Sequence, residues 1–529
     1  MSARTKVKNQ KILPLRTQSN HRQILILCVL ALFGTLIIYS PIRKSGIGMS
    51  PDSISYISAS QSLLAGEGFI NLNGLPFVHW PPLYPVVLTF FKLFGMNYAL
   101  TMTLMNFLFF ITTILLSSLL IKKQTGSFAF AIMLAAFCIF SKPLFYVWTF
   151  AWSEPFFIMI IVSFFYCLHT YMKQPSFRNI VILALITIST TLARYPGIVM
   201  LPIFGLYIFL NTKTNFIKRS FYAIMWTIIA AMPLILWIAR NILLTGTPFG
   251  ERWKDVKSFY DTTVLYGKII NSWFLPSFLA NLPGIVTVII ISFCIITVFA
   301  FSIYKIWKNK IISLSVPAAM VMFIILYSFM MIHTTTSIYI TGLDDRYLSP
   351  IFIPLVFIIL LIVHRSLKLR LFQMNFAPVS LIIIGLCFLS TMNNFSDAVK
   401  IIQYRQIENY DKLEYNRSEL FDWLNKNKLE GRFYSNLPSA IYYKTRCRSD
   451  VPPYNFMNNE ASLEVTKKIR DESIENMLKA INSSKPTYLI WKIPHHQRNM
   501  YTINQIQQFC RMQVVKECSD GIIIRLLPY

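Results

Sequence analysis

Residues 22–40 read RQILILCVLALFGTLIIYS, a run in which only Arg22 carries a charge. A helix needs about 20 mostly apolar residues to cross a bilayer. Inside lipid every backbone N–H and C=O must find its partner within the segment, so such a run is a membrane helix. Basic residues precede it at Arg4, Lys6, Lys8, Lys11 and Arg16. A secretory signal peptide begins in the same way, but this apolar run is too long for one and no small-x-small cleavage site follows it. The reading is an uncleaved first span behind a basic leader, residues 1–21, that stays in the cytoplasm.

Outward from that span, windows of the same kind recur. With 22–41 they are 98–121, 127–147, 153–172, 177–192, 196–211, 219–241, 284–306, 311–333, 347–364 and 373–393, about eleven transmembrane helices. None alternates with period two as the strands of a membrane barrel do. The composition agrees, with 55% hydrophobic and 14% charged residues in a chain of 529, where soluble domains carry about 25% charged. A formal net charge of +27 would point to nucleic acid in a soluble protein. Here the charges sort by loop, and the expected surroundings are a lipid bilayer with no nucleic acid.

Counting from a cytoplasmic amino terminus, the inner loops hold Lys122 and Lys123; Lys173 and Arg178; Lys213, Lys218 and Arg219; Lys305, Lys308 and Lys310; and Arg365, Lys368 and Arg370. All are basic, as the positive-inside rule requires. Before residue 397 the acidic residues are Asp52, Glu67, Glu154, Glu251, Asp255, Asp261, Asp344 and Asp345, and all fall on the outer side. Acids contribute little to topology, so a functional site on the outer face is the economical cause of their segregation.

Three outer regions are long: 42–97, about 242–283, and everything from 394 to 529. In the first, Pro81-Pro82-Leu83-Tyr84-Pro85 breaks regular helix and restricts the residues before each proline. Ser53–Leu64 reads as an amphipathic helix, with Ile54, Ile57 and Leu64 on one side, lying in the membrane interface. After 394 the composition turns polar. Strands are expected at Arg432–Ser435, Thr487–Ile493 and Gly521–Leu527 and a helix at Ala461–Ile481, giving a soluble α/β domain. Three of the eight cysteines, Cys447, Cys510 and Cys518, fall there, and in an oxidising compartment two could pair, Cys510 with Cys518 being nearest in sequence. No internal repeat, phosphate-binding loop or zinc-type cluster occurs.

Asp52 follows the first span and could cap a helix or act as a general base. Glu154 begins the fourth span, where the helix dipole favours an acid; two acids starting helices on one face make a site. His79 could hold a metal or donate a hydrogen bond. Tyr56 and Tyr84 lie in the same outer segment and join His79 as candidate substrate or metal contacts. Arg194, Arg240 and Arg346 stand against the positive-inside trend. A cation near hydrocarbon needs a partner, either a nearby acid, such as Asp345 for Arg346, or a phosphate that the guanidinium fork matches.

Taken in order, these segments resemble the GT-C superfamily of polytopic glycosyltransferases, in the branch of protein O-mannosyltransferases and lipid A aminoarabinose transferases. The resemblance rests on Asp52, the turn Ala65-Gly66-Glu67-Gly68-Phe69, the Pro-Pro-Leu-Tyr-Pro segment at 81–85 and Ser153-Glu154-Pro155-Phe156. Arg194-Tyr195-Pro196-Gly197, Trp237-Ile238-Ala239-Arg240-Asn241 with Gly246-Thr247-Pro248-Phe249-Gly250, and Arg346-Tyr347-Leu348-Ser349-Pro350 complete it. It covers residues 20–393 and implies a GT-C-like catalytic domain over 22–393, carrying an extracytoplasmic tail. It further implies transfer of a sugar from a polyprenyl-phosphate carrier to a protein, lipid or glycan, in a bacterial inner membrane. Asp52 would be the base, Glu154 a second acid, and Arg194, Arg240 and Arg346 the holders of the donor phosphate. Some relatives place a metal-binding acid just before the Pro-Pro segment, where this chain has His79 and Trp80, so a divalent metal is an open question. A transporter or flippase and a membrane anchor or sensor are the rival readings; the first would place its site at mid-membrane between repeats, and the second leaves the outer acids and arginines unexplained.

Overall fold

The structure, a computed structural model, describes residues 15–212, 214–252, 257–276, 283–289, 292, 315–338, 342–367, 370–371, 374–375, 377–404, 410, 413–455, 463–494 and 500–529. It is an α-helical membrane protein with a small sheet near its carboxyl end. The membrane domain comprises α1 (Leu15–Ser45), α2 (Pro51–Leu64), α3 (Leu83–Lys92), α4 (Tyr98–Thr125), α5 (Phe128–Ile139), α6 (Lys142–Trp148) and α7 (Glu154–Lys173). It continues with α8 (Phe177–Ala193), α9 (Met200–Asn211), α10 (Phe216–Thr245), α11 (Phe259–Phe274), α12 (Val316–Ser337), α13 (Asp345–Ser366) and α14 (Ala377–Tyr404).

Among the described residues, seven of these helices are long and apolar enough to cross a membrane, and eight if α5 and α6, bent by 60°, form one span. The expected eleven differ for physical reasons. The windows at 177–192 and 196–211 fold into helices of 17 and 12 residues joined by a 3-10 turn over Tyr195–Val199. Most of the window at 284–306 lies outside the described residues. The helix that carries the last span, Pro378–Lys400, runs on to Tyr404, past residue 393, because no helix breaker stands between Met392 and Tyr404.

Local chemistry sets the helix ends. Asn97 caps α4 by accepting from the Leu100 amide at 2.8 Å, and Gly126 ends it in the left-handed conformation. Lys122 and Lys123 occupy the last turn of α4, where the helix dipole favours cations. Helix α13 is the central element, with 78% of its most apolar window buried, whereas α14 has 17% and faces outward.

Helix α2 differs from the expected interfacial helix. Ile54 and Ile57 are buried, but so are Ser53, Ser55, Ser58, Ser60 and Ser62, while Leu64 is exposed. Serine hydroxyls can return to nearby backbone, and here Ser55 donates to the Pro51 carbonyl, Ser58 to that of Ser55 and Ser62 to that of Gly68. The polar face is therefore satisfied internally, and α2 sits inside the fold beneath the tail.

The tail carries α15 (Glu419–Lys426), α16 (Pro438–Thr445), α17 (Leu463–Ile481) and the strands β1 (Arg432–Ser435), β2 (Thr487–Lys492), β3 (Arg511–Cys518) and β4 (Gly521–Leu527). Their order is β1-β2-β4-β3, parallel between β1 and β2 and antiparallel elsewhere. Three strands match the expectation, and so does the helix from Leu463, with residues 461–462 outside the described set. Strand β3 was not foreseen: its charged positions mask the alternation. It also removes the Cys510–Cys518 pair. The two thiols are free and stand at opposite ends of the strand, roughly 25 Å apart at a strand's rise per residue.

Candidate active site

Two turns are bound together at one end of the bundle. Gly48 in the α1–α2 turn donates to the Thr149 carbonyl at 2.9 Å and accepts from the Ala151 amide at 2.8 Å. Asn106 of α4 anchors the α6–α7 turn through the Trp148 and Phe150 carbonyls at 3.0 and 2.8 Å, and the Trp152 indole donates to Ser50 Oγ at 2.8 Å. Ser50 is the residue at the N-cap of α2, so Asp52 is not the cap; it lies in the first turn. Glu154 likewise opens α7, behind Ser153 and before Pro155.

These turns bring Asp52 and Glu154 onto one guanidinium. Arg346, at the start of α13, donates from Nε to Glu154 Oε1 and from NH2 to Asp52 Oδ2, each at 2.5 Å. Its guanidinium lies 4.0 Å over the Trp152 ring, a cation–π contact that fixes its plane. Arg194, where α8 ends, pairs with Glu154 Oε1 and donates to Ser153 Oγ at 3.2 Å. The two acids differ in access: the Asp52 side chain is 27% exposed and that of Glu154 1%. The second oxygen of Glu154 is buried without a partner among the described residues. Two acids and two arginines make the cluster electroneutral.

The candidate pairing of Arg346 with Asp345 does not form. The first turn of α13 points neighbouring side chains in different directions. Asp345 instead binds Lys142 at 2.9 Å and accepts from the Trp273 indole at 2.7 Å.

Arg240 stands apart from the acids. It donates to the Phe77 and Phe69 carbonyls at 3.1 and 3.3 Å and lies 4.4 Å over the Trp237 ring. Nearby, the Tyr195 hydroxyl donates to the Val78 carbonyl at 2.8 Å and accepts from Trp237 and Asn241 at 3.2 Å each. Asn241 also donates to the Pro248 carbonyl at 3.0 Å. These residues clamp the loops at 69–78 and 246–250. Gly197 allows this packing, because a Cβ there would strike the Thr190 carbonyl.

Tyr56 and Tyr84 are fully buried, with rings 4.8 Å apart, and fill the space under the cluster rather than opening onto it. Tyr56 shares a 3.0 Å hydrogen bond with Ser153. Burial, and next the Asp52 charge, push the Tyr56 hydroxyl above its ordinary range, and burial does the same to Tyr84. Both rings therefore stay neutral. The half-buried His79 ring lies against Gly250, whose backbone takes φ +76. Burial, and next the Arg252 charge, lower the His79 pKa and favour neutral imidazole. Arg252 is a residue that sequence reasoning missed: exposed, it donates to the His79 carbonyl at 2.9 Å. Its only signal is its place just after the Gly-Thr-Pro-Phe-Gly segment.

Among the described residues no group of three or more His, Cys, Asp or Glu gathers to hold a metal ion. Asp52 and Glu154 meet a guanidinium where a cation would bind, so this donor set does not fit a resident metal.

No protein-family model matches the chain, and no curated protein does. Solved structures do. The apo crystal structure of ArnT from Cupriavidus metallidurans aligns with a TM-score of 0.55 at 11% identity, covering 96% of this chain and 98% of that one. The fold is like that of ArnT. A second structure, of the same ArnT bound to undecaprenyl phosphate, aligns with a TM-score of 0.50 at 12% identity over 95% and 97% of the two chains. In this ArnT-like fold the acid–arginine cluster occupies the end of the bundle where α2, α7 and α13 begin and α8 ends.

Proposed function

We propose that the protein is a membrane glycosyltransferase. It moves a sugar from a polyprenyl-phosphate carrier to a protein, lipid or glycan acceptor at the non-cytoplasmic face, with Asp52 as the general base. The convergence of Asp52 and Glu154 on Arg346 carries this reading. The cluster stands at helix ends, whereas a transporter holds its substrate near the bilayer midplane. One solved ArnT is described with undecaprenyl phosphate, which supports a carrier of that chemical class.

The reaction is a single in-line displacement. Asp52 takes the proton of the acceptor hydroxyl as its oxygen attacks the anomeric carbon. The bond from that carbon to the carrier phosphate breaks, and the phosphate leaves with the electron pair. A base in hydrogen-bond reach and a stabilised leaving charge are what this requires. Glu154, too deep to touch substrate, is a positioning residue that orients Arg346 and Arg194.

The donor phosphate adds negative charge to a neutral cluster, so a cation with spare donors must meet it. Arg346 faces the exposed acid, and Arg252 has a carbonyl as its partner. These two are the proposed phosphate holders; Arg194 is committed to Glu154 and Arg240 to the loop carbonyls. A phosphate that draws NH2 of Arg346 away also frees Asp52 to accept a proton. Donor binding and base activation are then one event.

The test is transfer of labelled sugar from a panel of polyprenyl-phosphate sugars by purified protein and by its Asp52→Ala variant. Turnover of one donor, lost in the variant, is expected. Equal turnover by both proteins would sink the assignment of the base.

A further inference from the structure

We propose that the cavity between α2 and the tail is the acceptor subsite, and that it takes an anionic saccharide held by Arg446 and Arg448. This rests on the transferase reading above. The cavity measures about 470 Å³. Its polar walls come from Ser58 and Gln61 of α2, Asn71 of the outer loop, and Tyr442, Arg446 and Arg448 of the tail. The hydroxyl, amide and guanidinium groups among these walls can answer sugar hydroxyls, and the apolar remainder of the lining can meet the faces of the rings.

Arg446 is the one non-glycine residue with positive φ among the described residues, at φ 62. It ends α16, a position that glycine or asparagine normally takes. Backbone strain of this kind persists where the side chain is needed. The guanidinium donates to Gln61 Oε1 at 2.8 Å, and the same oxygen accepts from the Tyr442 hydroxyl at 3.0 Å. The tail is thereby keyed to α2 at the cavity wall. Arg448 faces Glu67 at 3.7 Å and makes no hydrogen bond to protein among the described residues. Glu67 also lines the cavity, so a bidentate anion, carboxylate or phosphate, would take the Arg448 fork in competition with that loose, half-exposed ion pair.

The cavity shares its helix with the proposed base. At 1.5 Å of rise per residue, Ser58 and Ser62 lie roughly 9 and 15 Å along α2 from Asp52. An acceptor of a few sugar rings can occupy the cavity while offering a terminal hydroxyl to Asp52. A sugar seated there would also exclude water from the seam that joins the tail to α2. This gives the tail a part in choosing the acceptor.

The test is calorimetric titration of the full-length protein in nanodiscs with sucrose phosphate, digalacturonate and neutral sucrose. At least one anion is expected to bind and neutral sucrose is not; which anion binds tells phosphate from carboxylate. Arg446→Gly and Arg448→Gln are each expected to weaken that binding at least tenfold. Glycine relieves the left-handed backbone, so the unfolding midpoint of Arg446→Gly should not fall enough to account for the loss. Binding of neither anion, or undiminished binding by both variants, overturns the proposal. Consumption of a labelled polyprenyl-phosphate sugar by the unmodified protein is read in parallel. Anion binding without donor consumption keeps the saccharide site but removes the transferase reading and with it the acceptor role; donor consumption without anion binding keeps the transferase reading and removes the site.

Discussion

Replacing Glu154 by glutamine keeps the shape of the side chain and removes its charge. The carboxylate is 1% exposed, and its two partners Arg194 and Arg346 are 11% and 12% exposed. In Glu154→Gln both guanidinium groups are left with Asp52 alone as counterion. Removing one partner of a buried ion pair costs roughly 3–5 kcal/mol. The amide oxygen still accepts a hydrogen bond, which places the expected loss at about 3 kcal/mol. Asp52→Asn is the control. Its side chain is 27% exposed, so water replaces part of what is lost and about 1 kcal/mol or less is expected. The assay is thermal unfolding of both variants in detergent beside transfer from a labelled polyprenyl-phosphate sugar. Asp52→Asn should unfold near the parent protein yet lose about 10²–10⁴-fold in rate, the contribution of a general base. Glu154→Gln should unfold several degrees earlier. Equal stability of the two variants, or normal transfer by Asp52→Asn, would refute the division of roles between exposed base and buried counterion.

Three other outcomes follow from the geometry. Arg240→Lys removes the fork that spans the Phe69 and Phe77 carbonyls; a loss of about 2 kcal/mol in loop anchoring should appear as faster proteolysis within residues 66–82, and unchanged cleavage would count against the clamp. Gly250→Ala puts a Cβ 2.8 Å from the His79 ring at a backbone φ of +76; a cost of at least about 1–2 kcal/mol from the backbone alone should lower the unfolding midpoint, and an unchanged midpoint would mean that the ring has room to move. In the tail, burial disfavours the Asp520 carboxylate, but hydrogen bonds from Lys492, Ser418 and the Leu420 amide outweigh it and hold its pKa below the ordinary range. That stabilisation is full above the ordinary carboxylate range and is lost as pH falls through the depressed value, so acid unfolding of the tail should lose this limb in Asp520→Asn; identical acid profiles for the two proteins would exclude the linkage.

Much of this arrangement was legible in the sequence because hydrophobic length and charge sign are one-dimensional signals. The window 98–121 became a helix over Tyr98–Thr125, and 153–172 one over Glu154–Lys173. Helix α2 misled because Ile54, Ile57 and five serines alternate as an interfacial helix would. That serine hydroxyls bond back to the helix and permit burial is a property of the packed state. Strand β3 was hidden by Arg511, Lys516 and Glu517, whose exposure on an edge strand costs nothing. Asp345, one candidate partner for Arg346, is adjacent to it in sequence and does not pair with it. Adjacent residues on a helix do not face one another, and Lys142, some two hundred positions away, takes Asp345 instead.

The three arginines that broke the positive-inside pattern were the best guide to the site, for an energetic reason. A guanidinium cannot be neutralised by losing its proton, so one placed near hydrocarbon must find oxygen atoms within reach. Arg194 and Arg346 find carboxylates, and Arg240 finds two backbone carbonyls. The first solution produces an electroneutral cluster with one partly exposed acid; the second fastens a loop beside it. Both follow from a single constraint, yet only the first leaves a group able to accept a proton. Arg252 obeys the same constraint more loosely: it is exposed and satisfied by one carbonyl. An incoming phosphate can therefore bind Arg252 without first breaking an ion pair, whereas at Arg346 it must compete with Asp52. Binding in that order, Arg252 before Arg346, would keep Asp52 paired until the donor is in place. An Arg252→Ala protein should then lose donor affinity while a Trp152 fluorescence signal of the resting Arg346 stack is retained, and loss of that signal without any donor would put Arg252 in the resting cluster instead.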